Sequence, residues 1–333
     1  MEVTITKYTD RDRTVWDVLY RSNPSLSAYQ SPEFMAQFLK TARLGKRRAF
    51  LRSERLLCKL DDVQMICSLA IDDRKKEVYL LGDFSAVGYC DLIYGADVTD
   101  AQFDAVIAGL KTRYPDYTLK FNKVNESSAF CKYLLRRCES LSQSECVCVS
   151  LGDDYDTYYK ALSKHSRQNI RTAYNRMNRD GKTYDFQIVQ GAQRLTKKQK
   201  DDIIRVYCTR MKDKFGSEVL PYPIMYTAQR YFNPIVRSLN TLDDQFHALL
   251  YIDGELAAFL SGLRNGDGSR IVVPRLSMNG KFDFYDPGIV LLRETAEYLC
   301  REYPGTELDL SRGNEKYKYT MGGKPHFNHS FVI

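Results

Sequence analysis

The chain has 333 residues, of which 44% are hydrophobic, 12% aromatic and 27% charged; this excludes a disordered or low-complexity protein and predicts two lobes of roughly 150 residues. A formal net charge of +7, carried mainly by the second half, points to an anionic partner such as a nucleotide cofactor, tRNA or an acidic glycan. Nine cysteines are an odd number in a large chain whose first ten residues lack the apolar core of a signal peptide, so they read as reduced thiols of a cytoplasmic protein, and no stretch is long enough to span a membrane.

In chain order, a short helix over 32–41 precedes strands over 49–60, 63–71 and 77–82, which are rich in alternating or continuous apolar residues. A helix over 100–113 is capped by Thr99 or Asp100 and carries Phe103, Val106, Ile107 and Leu110 at helical spacing. A strand over 117–124 follows. Cys146 and Cys148 have the spacing of same-face strand neighbours rather than of a redox or zinc pair.

The second half opens on a long helix over 154–181, with Tyr155, Tyr159, Leu162, Ile170, Ala173 and Met177 inward and Gly181 as its stop. A strand over 184–190 and helices over 196–215 and 223–239 lead to a hairpin, 246–251 and 256–263, that turns at Asp253-Gly254. A strand over 271–278, a helix over 287–302 and a strand over 307–310 complete the pattern. Each half therefore has the order hairpin, strand, helix, strand, which suggests a structural duplication, although such units are common in α/β proteins.

Three segments carry candidate chemistry. From Phe282 to Leu292 a Pro287-Gly288 pair opens an amphipathic helix, whose first turn through Ile289 and Val290 would expose N–H groups to a phosphate; equally, Pro287 simply occupies its favoured first position. From Glu307 to Lys318 an apolar strand ends in a polar turn, which would meet a substrate or be a solvated turn. Lys160, Lys164, Arg167 and Arg171 fall along one face of the long helix, either gripping phosphates or merely solvated.

No P-loop, dinucleotide fingerprint, GxSxG elbow or HExxH is present, and His326 with His329 lacks a zincin's acid and spacing, so no metal is expected. Acyl transfer from a thioester to an amine suits such a motif-poor chain, because positioning, one base and an oxyanion donor suffice. Asp309, or else Asp283, is the candidate base. The alternative for Asp309 is an ion pair with Arg312 or Lys318 that holds the turn closed.

Taken in order, Phe282-Asp283, Pro287-Gly288, and Leu308-Asp309 followed by Gly313 and Tyr317-Lys318 resemble the CelD/BioF-like acetyltransferases, distant relatives of the FemAB aminoacyltransferases within the GNAT superfamily. Leu162 to Arg171 is similar to that family's basic helix, and Gln30-Ser31-Pro32-Glu33-Phe34, Leu81-Gly82 and Tyr89-Cys90-Asp91 are similar to its N-terminal landmarks, with the usual Asp-Tyr reordered. The superfamily's usual pyrophosphate loop is absent.

The resemblance implies an α/β (α+β) fold of tandem GNAT-type lobes, each a mixed, mostly antiparallel sheet flanked by helices. A degenerate lobe over 1–150 would precede an acyltransferase lobe over 151–333. It further implies acyl-CoA as co-substrate, acetyl-CoA first, and an amine acceptor on a small molecule, a sugar or a surface-polymer precursor. Pro287, Gly288, Ile289 and Val290 would then meet the cofactor, and Arg167, Asn169, Arg171, Ser311, Arg312, Tyr317 and Lys318 the substrate. The competing readings are a FemAB-like transferase using aminoacyl-tRNA and a non-enzymatic RNA-binding or scaffold protein.

Overall fold

The computed structural model describes residues 2–42, 51–61, 63–83 and 87–333. The strands are β1 (Thr4–Lys7), β2 (Leu51–Leu60), β3 (Val63–Asp72), β4 (Glu77–Leu80), β5 (Ile93–Tyr94), β6 (Thr118–Asn125), β7 (Ser142–Ser150), β8 (Tyr184–Gln190), β9 (Gln245–Ile252), β10 (Glu255–Arg264), β11 (Arg270–Met278), β12 (Glu307–Arg312) and β13 (Lys324–Val332). The helices are α1 (Arg13–Ser22), α2 (Pro32–Ala42), α3 (Asp100–Arg113), α4 (Ala129–Arg137), α5 (Tyr155–Ala161), α6 (Lys164–Arg179), α7 (Lys197–Phe215), α8 (Tyr222–Thr227), α9 (Pro234–Leu239), α10 (Pro287–Glu302) and α11 (Lys316–Thr320). Positions 49 and 50 of the expected strand 49–60 lie outside the described residues.

Two compact units result. One comprises 1–146, 265–267 and 326–333, and the other 147–264 and 268–325. The sheet of the first runs β1-β2-β3-β4-β6-β13, with β5 on β3, and that of the second runs β12-β11-β10-β9-β8. Both are mixed sheets flanked by helices.

The two units share one pairing scheme. In the first, β2, β3 and β4 are antiparallel and β4 pairs with β6 in parallel across α3; in the second, β9, β10 and β11 are antiparallel and β11 pairs with β12 in parallel across α10. The last strand of each half is exchanged. Residues 326–333 join the first unit, where β13 pairs antiparallel with β6, Phe331 opposite Phe121; residues 147–150 of β7 belong to the second, where β7 borders β12. Neither unit is thus a contiguous run such as 1–150 or 151–333.

Local chemistry explains the elements that sequence pattern locates. Asp253 and Gly254, at φ +49° and +77°, form the two-residue left-handed turn between β9 and β10, whose almost wholly buried side chains mark interior strands. Gly181, at φ +61°, ends α6, and the Lys182 N–H reaches back 2.9 Å to the Met177 carbonyl.

The expected helix 154–181 is in fact two. Leu162 is extended (ψ 151°), and the Ser163 hydroxyl caps α6 by accepting the Ser166 N–H at 3.0 Å, so a new helix starts in the middle of one apolar stripe. The expected helix 223–239 is also broken. α8 runs into a π-turn over Ala228–Phe232, and Asn233 caps α9 just before Pro234, which supplies no N–H to continue a helix.

Candidate active site

Two of the sequence-selected groups lie on the elements that follow β11: Pro287 to Val290 open α10, and Asp309 to Lys318 belong to β12, the turn beyond it and α11. β11 and β12 pair only from Arg270–Glu307 to Val272–Asp309, and beyond that point β11 continues to Met278. A bulge accompanies the parting: between the β10–β11 pairs Leu263–Val272 and Ser261–Arg275, the single residue Gly262 faces Val273 and Pro274. Proline is at home there, because a bulge does not ask for its missing N–H. After the bulge, Leu276 and Met278 return to the core between the sheet and α5, α6 and α10, while Arg275 faces the other way. A crevice at the carboxyl ends of diverging parallel strands is a usual ligand site in α/β folds.

α10 begins directly on the end of β11. Pro287 is its first residue, and a side chain at Gly288 would bring its Cβ to 2.4 Å from Met278 Sδ, so this glycine lets helix and strand touch. The Ile289 and Val290 N–H groups turn back to the Asp286 carbonyl at 3.0 and 3.3 Å, whereas the Gly288 N–H has no hydrogen bond among the described residues. Asp286, left-handed at φ +49°, does not cap the helix; its carboxylate takes Arg176 at 2.9 Å. No acid lies in the first turn. The counterpart in the first unit differs in its side chains: the Gln102 side chain accepts the Thr99 N–H at 2.8 Å, and Asp100 puts a carboxylate into the first turn of α3.

The polar turn after β12 is wound around two side chains. Asp309, 1% exposed, accepts the Ser311 N–H at 2.8 Å, and Ser311 is left-handed at φ +56°. From the other side the buried Lys318 ammonium donates to the carbonyls of Ser311, Arg312 and Gly313 at 3.2, 2.9 and 2.9 Å and pairs with Glu315 at 3.0 Å. Lys318 thus braces the turn with all its donors. Ser311 Oγ is buried with no partner among the described residues, an uncompensated oxygen of the kind that invites a ligand or water. Arg312 is exposed, and Tyr317 packs on the core, where burial pushes its hydroxyl pKa up.

The other selected residues lie elsewhere on this unit. Asp283 sits in the 3-10 turn Gly280–Tyr285, half-exposed and paired with Arg210 of α7 at 3.2 Å. Arg167 donates to the Lys160 and Leu162 carbonyls, closing the end of α5, and the break at Ser163 separates Lys160 from the cations of α6. Asn169 contacts His165 at 3.1 Å and Arg171 contacts Gln168 at 3.0 Å, both within the helix.

A buried polar cluster on the opposite sheet face was not anticipated. His247 Nδ1 accepts the Ser261 hydroxyl at 2.8 Å, since Nε2 must donate to the Leu239 carbonyl at 2.8 Å. Burial pushes this imidazole down to about 4, against the favourable carbonyl. Next to Ser261 on β11, Arg275 bonds Gln229 and stacks 4.2 Å from the Tyr207 ring. The signal available in sequence was a polar residue inside each of three largely apolar strands: His247 in β9, Ser261 in β10 and Arg275 in β11.

Residues 164–319 match the family model of the acetyltransferase (GNAT) domain. No curated protein matches the chain. Among solved structures, FemX superposes with a TM-score of 0.65 at 12% identity, covering 99% of this chain and 97% of its own. A conserved protein of unknown function from Bacteroides thetaiotaomicron gives 0.59 at 10%, covering 99% of both, and a tandem GNAT protein from the clavulanic acid biosynthesis pathway gives 0.52 at 13%, covering 99% and 98%. At these identities the likeness is one of fold: two GNAT-like units in tandem, with the matched acetyltransferase domain lying within the C-terminal half.

Proposed function

We propose that the chain is an N-acyltransferase that moves an acyl group from acyl-CoA, acetyl-CoA first, to an amine, and that its site lies at the parting of β11 and β12. The observation that carries this reading is the bare start of α10 on the end of β11, inside the matched acetyltransferase domain, while the equivalent helix of the first unit is capped and acidic. The Gly288 N–H and the positive end of a 16-residue helix suit the cofactor's phosphates. Bound acyl-CoA supplies the activated thioester. The main chain of β11 beyond Val272, which no longer faces β12, holds the acyl arm, and Asp309 takes the proton of the attacking ammonium directly or through water. The acceptor in this reading is an amine of a sugar or surface-polymer precursor, a class that rests on the family resemblance. Among the described residues no helix is long and apolar enough to cross a membrane.

Thermal-shift titration tests the donor. Acetyl-CoA or a longer acyl-CoA should raise Tm, because a ligand of the folded state stabilises it. If charged tRNA raises Tm and no acyl-CoA does, the donor is an aminoacyl group and this reading fails. For the base, Asp309→Asn should lower kcat at neutral pH and recover with a less basic amine. A variant with lowered Tm and unchanged kcat would make Asp309 only the clasp of the Ser311 turn.

A further inference from the structure

The polar cluster on the sheet face opposite α10 borders a small cavity that the acyl-transfer reading does not use. Ser261 of β10 stands opposite His247 of β9 and Arg275 of β11, so the three side chains form one row across the sheet. α7 lies over this face, its Ile203 sharing a core with Leu249, Tyr251 and Phe259 of β9 and β10. The cavity lies between Lys200 of α7, Asn240 at the end of α9 and that row, with apolar side chains of α7 and α9 completing its wall. It leaves about 10 Å³ for the centre of an occupant, which suits one group of about the size of a water molecule.

The charged part of its lining is cationic. Lys200 and Arg275 both line it, and no carboxylate is among the described residues that do. The half-buried Lys200 ammonium makes no hydrogen bond or ion pair among the described residues. Its charge reaches the His247 ring, where burial first, and this cation with it, hold the imidazole neutral against the Leu239 carbonyl. The Asn240 carboxamide likewise makes no hydrogen bond among the described residues, and Arg275, 7% exposed, bonds the Gln229 side chain at 2.5 Å. Ser261 donates its proton to His247 Nδ1 and Nε2 donates to Leu239, so the donors left for the cavity are the two cations and the carboxamide. Burying cations is costly without a counter-charge, and two of them beside one small space, with no carboxylate lining it, favour an anion there over a neutral water. We propose that this cavity is a monatomic-anion site, holding one chloride ion between the Lys200 ammonium, the Asn240 carboxamide and the Arg275 guanidinium, and so tying α7 and the end of α9 to β11. The proposal is independent of the acyl-transfer reading, since none of these residues belongs to that site.

Melting curves of the full chain at constant ionic strength test it, with sodium chloride replacing sodium gluconate, whose anion is too large for the space. Chloride should raise Tm saturably, by about 2 °C or more once it exceeds its Kd about tenfold, and bromide should act likewise. The chloride NMR resonance should broaden in the presence of the protein and sharpen again when bromide is added. Lys200→Met should flatten the chloride dependence and abolish the broadening, while its Tm in gluconate stays at or above the wild-type value, because it removes a cation with no ion pair among the described residues. Asn240→Ala should weaken chloride binding by about tenfold, and it decides if Lys200→Met fails to fold. Equal melting curves in chloride and gluconate, or wild-type chloride dependence in the variants, would overturn the proposal. So would a rise produced by sulfate or phosphate and not by chloride, which would assign the cavity to a polyatomic oxyanion.

Discussion

Gly288 meets two demands that a single substitution cannot separate. Its missing Cβ lets α10 rest against Met278, and in the proposed reading its N–H meets a phosphate. Gly288→Val alone should lower stability by about 1–3 kcal/mol through overpacking, which would obscure any effect on binding. Adding Met278→Ala makes room on the strand side only. The double variant should recover much of its Tm and still fail to bind acyl-CoA if the backbone approaches a ligand closely. Wild-type affinity in the refolded double variant would leave Gly288 with a packing role alone.

At the level of elements, the exchanged last strands make each half depend on sequence from the other. Phe331 of β13 is fully buried against Phe121 of β6, and Asn328 bonds Asn125 and the Gly88 carbonyl in the first unit. Phe331→Ala should therefore cost about 3–5 kcal/mol, seen as lost hydrogen-exchange protection in β6, although it lies near the C-terminal end. Unchanged protection of β6 would contradict this dependence. Sequence pattern did not reveal the strand, because its buried face carries Asn328 and Phe331 across an irregular register, which hides the two-residue alternation of an apolar strand. The Asp253-Gly254 hairpin, α3 and α10 were legible, since each is specified by local chemistry and a clean period. The break at Ser163 was missed because the apolar stripe runs on through it, with only the capping serine to betray the new start. Within the candidate site, the strand-to-helix junction at Pro287 and Gly288 was legible in the sequence. The His247, Ser261 and Arg275 cluster could not, because it exists only through the pairing of three strands.

Over the whole molecule, two buried groups give the units opposite responses to acid. In the second unit, burial holds the His247 imidazole down to about 4, so between that value and an ordinary 6.5 the unfolded chain binds the extra proton and stability falls as pH falls. In the first unit, burial pushes the Asp91 carboxyl up to about 7, against hydrogen bonds from the Ser128 side chain, the Leu92 N–H at 2.8 Å and the more distant Tyr94 hydroxyl. Between an ordinary 3.8 and about 7 the folded state holds that proton, so stability there rises as pH falls. Each slope is at most about 1.4 kcal/mol per pH unit. Glu54 and Glu77 of the first unit, held below the usual range chiefly by hydrogen bonds from their tyrosine, arginine and lysine partners despite partial burial, add their own losses only in stronger acid. Native-state hydrogen exchange from about pH 6.5 to 5, corrected for intrinsic rates, should therefore show β9 and β10 losing protection while the segment around Leu92 and Ile93 gains it. Asp91→Asn should flatten the second trend and leave the first untouched. Parallel trends in the two units, or an unaltered slope in Asp91→Asn, would show that other groups govern the acid response.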